Sequence, residues 1–598
     1  MPVQAQQSTG KLLYLLVVAA GLSLTPLLFI GTFFDISSPL FALSGAVHIL
    51  ILVAAVVAAL LLVIKTFFNL GVGMRLVIVA GLAALFVGLL ETTLPVVYKD
   101  ALIHHLAIAQ WWVSRGEIYS PQWHEWSYYP MLLNLGFAVL YSWNIGELSG
   151  LYHWAYGALT AVVLLGGTAR ILSSQSAGAI AFFLAATTPI FFRILSVPLV
   201  DCGLALFSAV AFFGVMEAQS LSESAEARRR ILTIAAISLG LALSTKYNAL
   251  VLSVSLFLLY PLFASQRSFR QILREMVYVV TISLVVYAPW LARNYHLTNN
   301  PIYPLYSNIF KPNVERPSGL PSLKPLAQRI LIYGESPLEI AFLPIRVFFE
   351  GADESPAKFD GVLSPVLMSG VVAGLVYFSH PALRASLLLC VLYSMLAILS
   401  NPLRIRYLVP LIAPLMVLNA YAITKLLTAE AFKRFAGVAL LVVHFLFFGV
   451  YAFHKIEREQ LVPYIRGQIG SDQYLAQRIP EYPMISYMNE HLPSDSKVYL
   501  LFTGNRFSLY KPLVFSGGHF SASYLLDWIR SSARTGAPLT QRFAERHIQY
   551  ILAESLRAQT FAIEQLAPEE REVWIDFLTH HLDFIREERG YSLWKIKA

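Results

Sequence analysis

Long apolar runs, each near the length of a bilayer crossing, recur along the chain with short basic connections between them. A bilayer core needs about 20 apolar residues per helix, with some spread for tilt. On that rule spans are expected at 12–34, 40–64, 75–97, 148–171, 177–195, 200–216, 231–244, 247–262, 276–291, 361–379, 385–400, 407–425 and 436–454, thirteen in all. The pair between 231 and 262 also reads as one long tilted helix. Residues Leu12 to Ile30 are long enough to span and a second run follows at once, so the start reads as a retained anchor.

Sidedness follows from where Lys and Arg fall between spans. With the N-terminus cytoplasmic, Lys65 and Arg75, Arg170, Arg228 to Arg230, Arg267, Arg270 and Arg274, Arg384, then Lys425, Lys433 and Arg434 all land on the cytoplasmic side. One extra span would put alternate clusters on the wrong side. The loops 98–147 and 291–360, and everything after 455, then face outward.

Two stretches of the first outer loop are apolar but too short to cross. Residues 131–143 lie between Pro130 and Asn144 and suit an interfacial or re-entrant helix. Residues 101–115 place Leu102, Leu106, Ala109 and Val113 along one helical face, with Trp111 and Trp112 suited to headgroup depth. The expectation is a loop lying flat on the membrane. Beyond 455 the pattern changes: Lys497–Phe502, His547–Leu552 and Tyr591–Ile596 read as strands, with helices at Ile485–Leu492 and Ser521–Ser532. The organisation expected is therefore residues 1–74 as two N-terminal membrane helices, 75–455 as the main membrane domain, and 456–598 as a soluble α/β domain. The fold class is an all-α polytopic membrane protein of about 13 transmembrane helices carrying a small C-terminal α/β extracytoplasmic domain.

Composition agrees. The 598 residues are 57% hydrophobic and only 13% charged, whereas a soluble domain carries nearer a quarter charged. The net charge of +8 is spent on topology signals and does not point to nucleic acid. Cys202 and Cys390 are too few for a disulfide framework or a zinc site.

Ionisable residues at span ends or inside apolar runs are costly and need a reason. On the topology above they gather at the outer face: Asp100 after the third span, Asp201 opening the sixth, Lys246 within Leu243-Ser-Thr-Lys-Tyr-Asn248, Arg293 closing Ala288-Pro-Trp-Leu-Ala-Arg-Asn294, and Arg404 and Arg406 in Asn401-Pro-Leu-Arg-Ile-Arg-Tyr407. Acids and bases converging there suit a site that activates a hydroxyl with a carboxylate and holds a phosphate with cations. Plainer readings stand beside this. Asp100 serves equally as an N-cap, Lys246 as a snorkelling residue, and Arg404 and Arg406 as span flanks, although outer positive charges run against the usual bias. His104 lies one helical turn from Asp100 and His105 does not share that face. A metal on such residues lacks a recognised ligand spacing, and a surface histidine pair is the simpler reading. Trp123, Trp126, Tyr128 and Tyr129 read first as an interfacial belt and second as a sugar-stacking surface. There is no phosphate-binding glycine loop, no His-Glu-x-x-His and no nucleophile elbow.

Tyr98-Lys-Asp-Ala-Leu-Ile-His-His-Leu-Ala-Ile-Ala109 after an early span resembles the first outer loop of GT-C fold glycosyltransferases, nearest the bacterial aminoarabinose transferase and protein O-mannosyltransferase group. Val200-Asp201, Ser244-Thr-Lys-Tyr-Asn248, Arg293-Asn294 with Asn299-Asn-Pro-Ile-Tyr-Pro304, and Arg406-Tyr407-Leu-Val-Pro410 follow in similar order. The likeness covers roughly residues 75–425. Each motif is weak alone, and order, spacing and shared sidedness carry it.

The resemblance implies inverting transfer of a sugar from a polyprenyl-phosphate donor at the outer face of the plasma (inner) membrane. By position Asp100 matches the family's first-loop acid, the general base or acceptor-orienting group, and Asp201 its second acid. Arg406, Arg293, Lys246 and Arg404 are then donor-phosphate candidates. His104, His105, Glu125, Tyr128 and Tyr129 are loop or acceptor candidates. A divalent cation, Mg or Mn, on Asp100 and Asp201 is the implied cofactor, with no nucleotide. The implied partners are the donor, membrane lipids and an acceptor of open identity, with no nucleic acid. One departure stands out: Ser127-Tyr-Tyr-Pro-Met131 lacks the charged residue that aminoarabinose transferases carry beside this proline, and Glu125 is the nearest substitute. A lipid-linked sugar flippase and a non-catalytic scaffold in envelope assembly are the alternatives.

Overall fold

A computed structural model describes residues 2–220, 224–264, 267–314, 324–400, 403–516 and 522–597. Residues 315–323 of the second outer loop, Asn401 and Pro402 of the arginine motif, and Ser521 lie outside the described residues. Among the described residues nine helices are long and apolar enough to cross a membrane, or ten with a pair bent by 65°, Gln175–Ala186 with Pro189–Leu195. The remaining three expected spans are also helical, as Ala225–Thr245, Asn248–Phe263 and the shorter apolar helix Pro365–Val376. The chain is a multi-pass membrane protein. Between 231 and 262 it forms two helices, because Lys246 adopts an extended backbone at the end of the first. The expected span 75–97 ends early, at Glu91.

Lipid contact and interior position separate the helices. In Asp201–Gln219, 94% of the most apolar window is buried, against 17% in Phe269–Thr298 and 22% in Ala431–Arg458. The first is therefore the central helix and the other two are peripheral, with Val277, Val285, Phe435 and Val450 exposed toward lipid. Ser38 and Ser268 accept hydrogen bonds from the backbone N–H groups of Phe41 and Gln271, fixing where two of the longest helices begin. Asn299 ends the second of these in the left-handed region at φ 59°. Where the helices Val72–Glu91 and Ala431–Arg458 end, Glu91 and Lys455 are buried and meet at 2.6 Å, and Ser196 Oγ donates to the same carboxylate at 3.1 Å.

The first outer loop is not flat on the surface. Residues 132–140 are all buried, and Gly136 has no room for a Cβ because Tyr152 lies against it. In the preceding segment Ala101–Ile103 and Leu106–Ala109 are enclosed, and Trp112 is buried with its Nε1 donating to Tyr119 O at 2.8 Å. Residues 132–140 pack against membrane helices, whereas the C-terminal domain covers Ile103 and Ala107.

That domain is a five-stranded sheet, β1 (Lys497–Leu501), β2 (Leu513–Ser516), β3 (Tyr550–Glu554), β4 (Leu582–Glu588) and β5 (Tyr591–Ile596), in the order β2-β1-β3-β5-β4. β1 runs parallel to β2 and β3, while β5 is antiparallel to β3 and β4. The alternation of a strand assigns its two faces. Tyr499 and Leu501 pack under the helix Ser523–Thr535 with Trp528 and Phe543. Val498 and Leu500 point the other way and join Ile103 and Ala107 of the first loop in one core. The domain therefore shares its core with the loop, and removing residues 460–598 would uncover that loop rather than excise an independent module.

The Glu91–Lys455 pair yields a stability prediction. Removing one partner of an enclosed ion pair strands a charge and costs about 3–5 kcal/mol. Lys455→Met is expected to lower thermal stability in detergent sharply, and Glu91→Gln added to it should recover much of the loss. Equal unfolding temperatures for wild type and Lys455→Met would show the pair to be energetically idle.

Candidate active site

Three interruptions of regular helix bring the charged residues together. A π-helical turn, Ala101–His105, follows Asp100, and such turns are often found at functional sites. Its first residue does not need a cap from Asp100, whose side chain makes no capping hydrogen bond. The break at Lys246 frees that side chain to turn toward the start of the central helix. A 3₁₀ segment, Ile405–Leu411, carries Arg406 and Tyr407, with Arg404 just before it. Tyr393 Oη anchors this segment by donating to Tyr407 O at 2.8 Å.

Two ion pairs result. Arg406, enclosed, donates through Nη2 to Asp100 Oδ2. Lys246 Nζ donates to both oxygens of the fully buried Asp201, at 2.9 and 3.1 Å. Arg406 also lies within electrostatic reach of Asp201, so the four groups form one cluster. Tyr407 joins them, with the Lys246 ammonium 5.4 Å and the Arg406 guanidinium 5.3 Å from its ring centre. Burial favours a neutral carboxyl, but the Arg406 guanidinium prevails and holds the Asp100 carboxyl well below the usual carboxylate range.

A third set of charges was not anticipated. Arg193 Nη1 bridges Asp353 at 3.1 Å and Asp360 at 3.0 Å. Asp360 also faces Arg404 Nη1 at 3.5 Å. Tyr98 lies between the two groups, 5.5 Å from the Arg193 guanidinium and 5.9 Å from that of Arg406. Phe359 and Asp360 hold positive φ values of 66° and 39°, a backbone strain that surrounding structure must maintain. The Ile405 N–H donates to Phe359 O at 2.7 Å, tying this loop to the arginine segment. The acidic run Gly351-Ala-Asp-Glu-Ser-Pro-Ala-Lys-Phe-Asp-Gly361 was the available signal, but its partner Arg193 lies inside an apolar helix.

The remaining candidates divide. His104 Nδ1 lies 3.4 Å from His124 Nε2, and its ring sits 4.7 Å from Trp126. Enclosure pushes the His105 imidazole down to about 4, so it is neutral near pH 7, with Nδ1 3.3 Å from Asn134 Oδ1. Tyr129 packs on Tyr247 at 5.0 Å and is electrostatically coupled to Glu125 and Tyr407, which places it beside the cluster. Tyr128 is buried against Tyr303. Trp123 is no interfacial belt residue, since it packs on Phe507 and Phe515 of the C-terminal domain at 5.4 and 5.5 Å. Arg293 stands apart from the cluster. Its Nη2 donates to Ser120 Oγ at 2.6 Å and to Ser127 O at 3.4 Å.

No group of three His, Cys, Asp or Glu side chains converges among the described residues. Asp100 and Asp201, expected to share a divalent cation, each sit on a cationic side chain instead. As arranged, this donor set does not suit a resident divalent ion.

Residues 150–298 match the profile of the dolichyl-phosphate-mannose-protein mannosyltransferase family. No curated protein matches the chain in sequence. The chain is similar to the structure of ArnT from Cupriavidus metallidurans bound to undecaprenyl phosphate, at 14% identity and TM-score 0.51, over 88% of this chain and 98% of that one. The apo form aligns at 15% identity and TM-score 0.51, over 87% and 97%. The oligosaccharyltransferase AglB from Archaeoglobus fulgidus aligns over 87% of this chain and 74% of its own, at 11% identity and TM-score 0.46. The chain has the GT-C fold of membrane glycosyltransferases.

The Asp201–Lys246 contact is tested by a double-mutant cycle. Asp201→Asn and Lys246→Met are each expected to lower the unfolding temperature, and the double variant to lose less than their sum. Contacting residues of this kind couple by about 0.5–3 kcal/mol; strictly additive losses would show no interaction.

Proposed function

We propose that the protein is an inverting glycosyltransferase that takes a sugar from a polyprenyl-phosphate donor at the extracytoplasmic face. The observation that carries this reading is the Asp100–Arg406 pair beside an unfilled donor. Arg406 Nε is buried and has no hydrogen-bond partner among the described residues. A buried guanidinium N–H of that kind calls for an acceptor, and a phosphate oxygen is the acceptor its planar fork matches best. Arg404 and Lys246 supply further positive charge around it. The carrier chain has a matching path. An apolar groove of about 270 Å³, lined by Val347, Phe348, Met368 and Val391, reaches Ile405 and Leu408 on the same segment as Arg406.

The chemistry follows from the pairing. A carrier phosphate that engages Arg406 competes with Asp100 for the guanidinium and leaves that carboxylate to accept a proton. The acceptor oxygen attacks the anomeric carbon from the face opposite the phosphate. The bond from that carbon to the phosphate oxygen breaks, its electron pair staying on the phosphate, and the acceptor proton passes to Asp100. Asp201 keeps Lys246 in place near the leaving group. Tyr129 and Glu125 border the space where the sugar would lie.

Sidedness supports an extracytoplasmic site. The helix Ala225–Thr245 starts at Arg228, Arg229 and Arg230 and ends at Lys246, about 1.5 Å further along the axis per residue. The helix Phe269–Thr298 likewise begins beside Arg267 and Arg270 and ends past Arg293. The basic connections and the active-site charges therefore occupy opposite ends of the bundle.

The test is a transfer assay in membranes with radiolabelled polyprenyl-phosphate sugars. Asp100→Asn is expected to keep carrier binding and lose transfer by about 10²–10⁴-fold, the usual contribution of a positioned base. Arg406→Ala is expected to lose carrier binding itself. Labelled carrier that changes leaflet with no donor consumed would replace this reading with a flippase.

A further inference from the structure

The central helix begins at Asp201 without a capping residue of its own. The first backbone N–H groups of a helix have no partner within it, and a preceding Ser, Thr, Asp or Asn usually supplies the acceptor. Here the preceding residue is Val200, whose side chain has no acceptor. The acid at hand is Asp201 itself, and a carboxylate at that position is drawn to the N–H groups of its own first turn. Yet both of its oxygens are held by Lys246, at 2.9 and 3.1 Å.

The acceptor comes from another helix. His153, fully buried on the helix Ser149–Ile171, takes the Cys202 N–H on its Nε2 at 3.1 Å. A ring nitrogen that accepts carries no proton, so the proton of this imidazole is on Nδ1. That nitrogen lies 3.4 Å from Leu195 O, at the end of the helix Pro189–Leu195. One side chain thereby joins the end of one helix to the start of the next. Gly150 and Gly157 stand one turn to either side of His153 on the same face, and they let the two segments approach. A Cβ at 150 would lie 3.0 Å from Ser196 O, and one at 157 would lie 2.2 Å from Leu195 Cδ2 and 3.1 Å from Cys202 Sγ. Thr160 Oγ1, a further turn along, donates to Cys202 O at 3.4 Å.

We propose that His153 is a positioning residue for the phosphate site: it caps the central helix in place of Asp201 and so leaves both oxygens of that carboxylate to Lys246. The inference rests on the transferase reading for the phosphate, whereas the cap itself stands on the geometry around Cys202. Without the imidazole a buried N–H loses its acceptor, which is costly. The Asp201 carboxylate, one residue back, is the group able to take it. Turned toward its own helix, that carboxylate gives up part of its hold on the ammonium, and Lys246 is no longer fixed near the leaving group. A histidine that only filled space would be replaced equally well by any polar side chain of similar size. A cap depends on an acceptor at one atom.

That difference is the test, made on the full-length protein in detergent with polyprenyl phosphate as the ligand. His153→Gln places an amide oxygen where Nε2 stands, whereas His153→Asn reaches only the position of Nδ1. His153→Asn is expected to weaken polyprenyl phosphate binding about tenfold, the worth of one buried hydrogen bond, and His153→Gln by no more than about twofold. Equal losses in the two variants would reduce His153 to packing and overturn the proposal, and so would wild-type affinity in both. In the Asp201→Asn protein, His153→Asn should cost no further affinity, and an undiminished loss there would show that His153 does not act through Asp201. Wild type supplies a reading that needs no stable His153→Asn protein: nitrogen NMR with labelled histidine, the signal of residue 153 being the one absent from His153→Gln. A proton on Nδ1 and none on Nε2 is expected near neutral pH, and a proton on Nε2 would overturn the cap. A wild type that binds no polyprenyl phosphate would count against the transferase reading, and the NMR would still decide the cap.

Discussion

A charge enclosed by protein at membrane depth survives only with an opposite charge in contact, because the interior screens it poorly and no water replaces its hydration. The end of this bundle opposite the basic connections is organised around that constraint. Asp100 needs Arg406, Asp201 needs Lys246, and Arg193 needs Asp353 and Asp360. None of these pairs is local in sequence. Each can form only if a helix stops, turns or narrows at the right residue. The π-helical turn after Asp100, the extended backbone at Lys246 and the 3₁₀ segment at Arg406 are those adjustments. Regular helices through the same sequence would point these side chains into apolar surroundings.

The same cluster explains why the first loop is covered. A carboxylate paired through one oxygen, at the membrane boundary, is of chemical use only if bulk water is kept from competing for its partner. Burying Ile103 and Ala107 under Val498 and Leu500 closes the loop from above. Trp111, Trp123 and His124 pack around Phe507, each near 5.5 Å. The C-terminal domain is therefore part of the wall around the candidate site. Its sheet meets the membrane domain with one face and carries its own aromatic core, around Tyr499, Trp528 and Phe543, on the other.

Much of this was legible in the chain itself, and the exceptions have physical causes. Apolar length located the helical segments, and basic connections placed the cluster of Asp100, Asp201, Lys246, Arg404 and Arg406 at one face. The partner of each charge was not legible, since pairing across separations from 45 residues (Asp201–Lys246) to 306 (Asp100–Arg406) leaves no local trace. Arg193 was missed because a cation inside an apolar helix looks like an isolated exception until Asp353 and Asp360 stand beside it. The first loop misled for a different reason: an amphipathic segment has the same pattern whether lipid headgroups or a protein domain cover it. β1, β3 and β5 were recognisable by their apolar cores. β2 has only four residues after Pro512, and β4 is an edge strand with Phe584 exposed among charges, so neither carried a strand-like alternation. Arg293, grouped with the phosphate ligands by motif, stands apart from the cluster, bonded to Ser120 and Ser127.

If Asp100 is the base and Arg406 the phosphate ligand, as proposed, their ion pair also orders the reaction. While Arg406 holds Asp100, the carboxylate is neutralised and its proton affinity is far below that of a free acid. On the function proposed above, it becomes a competent base when another anion, the donor phosphate, takes the guanidinium. On that reading an acceptor that arrives first meets an occupied acid and does not react. On the same reading a donor that arrives first frees the acid, beside a loop that the C-terminal domain packs against.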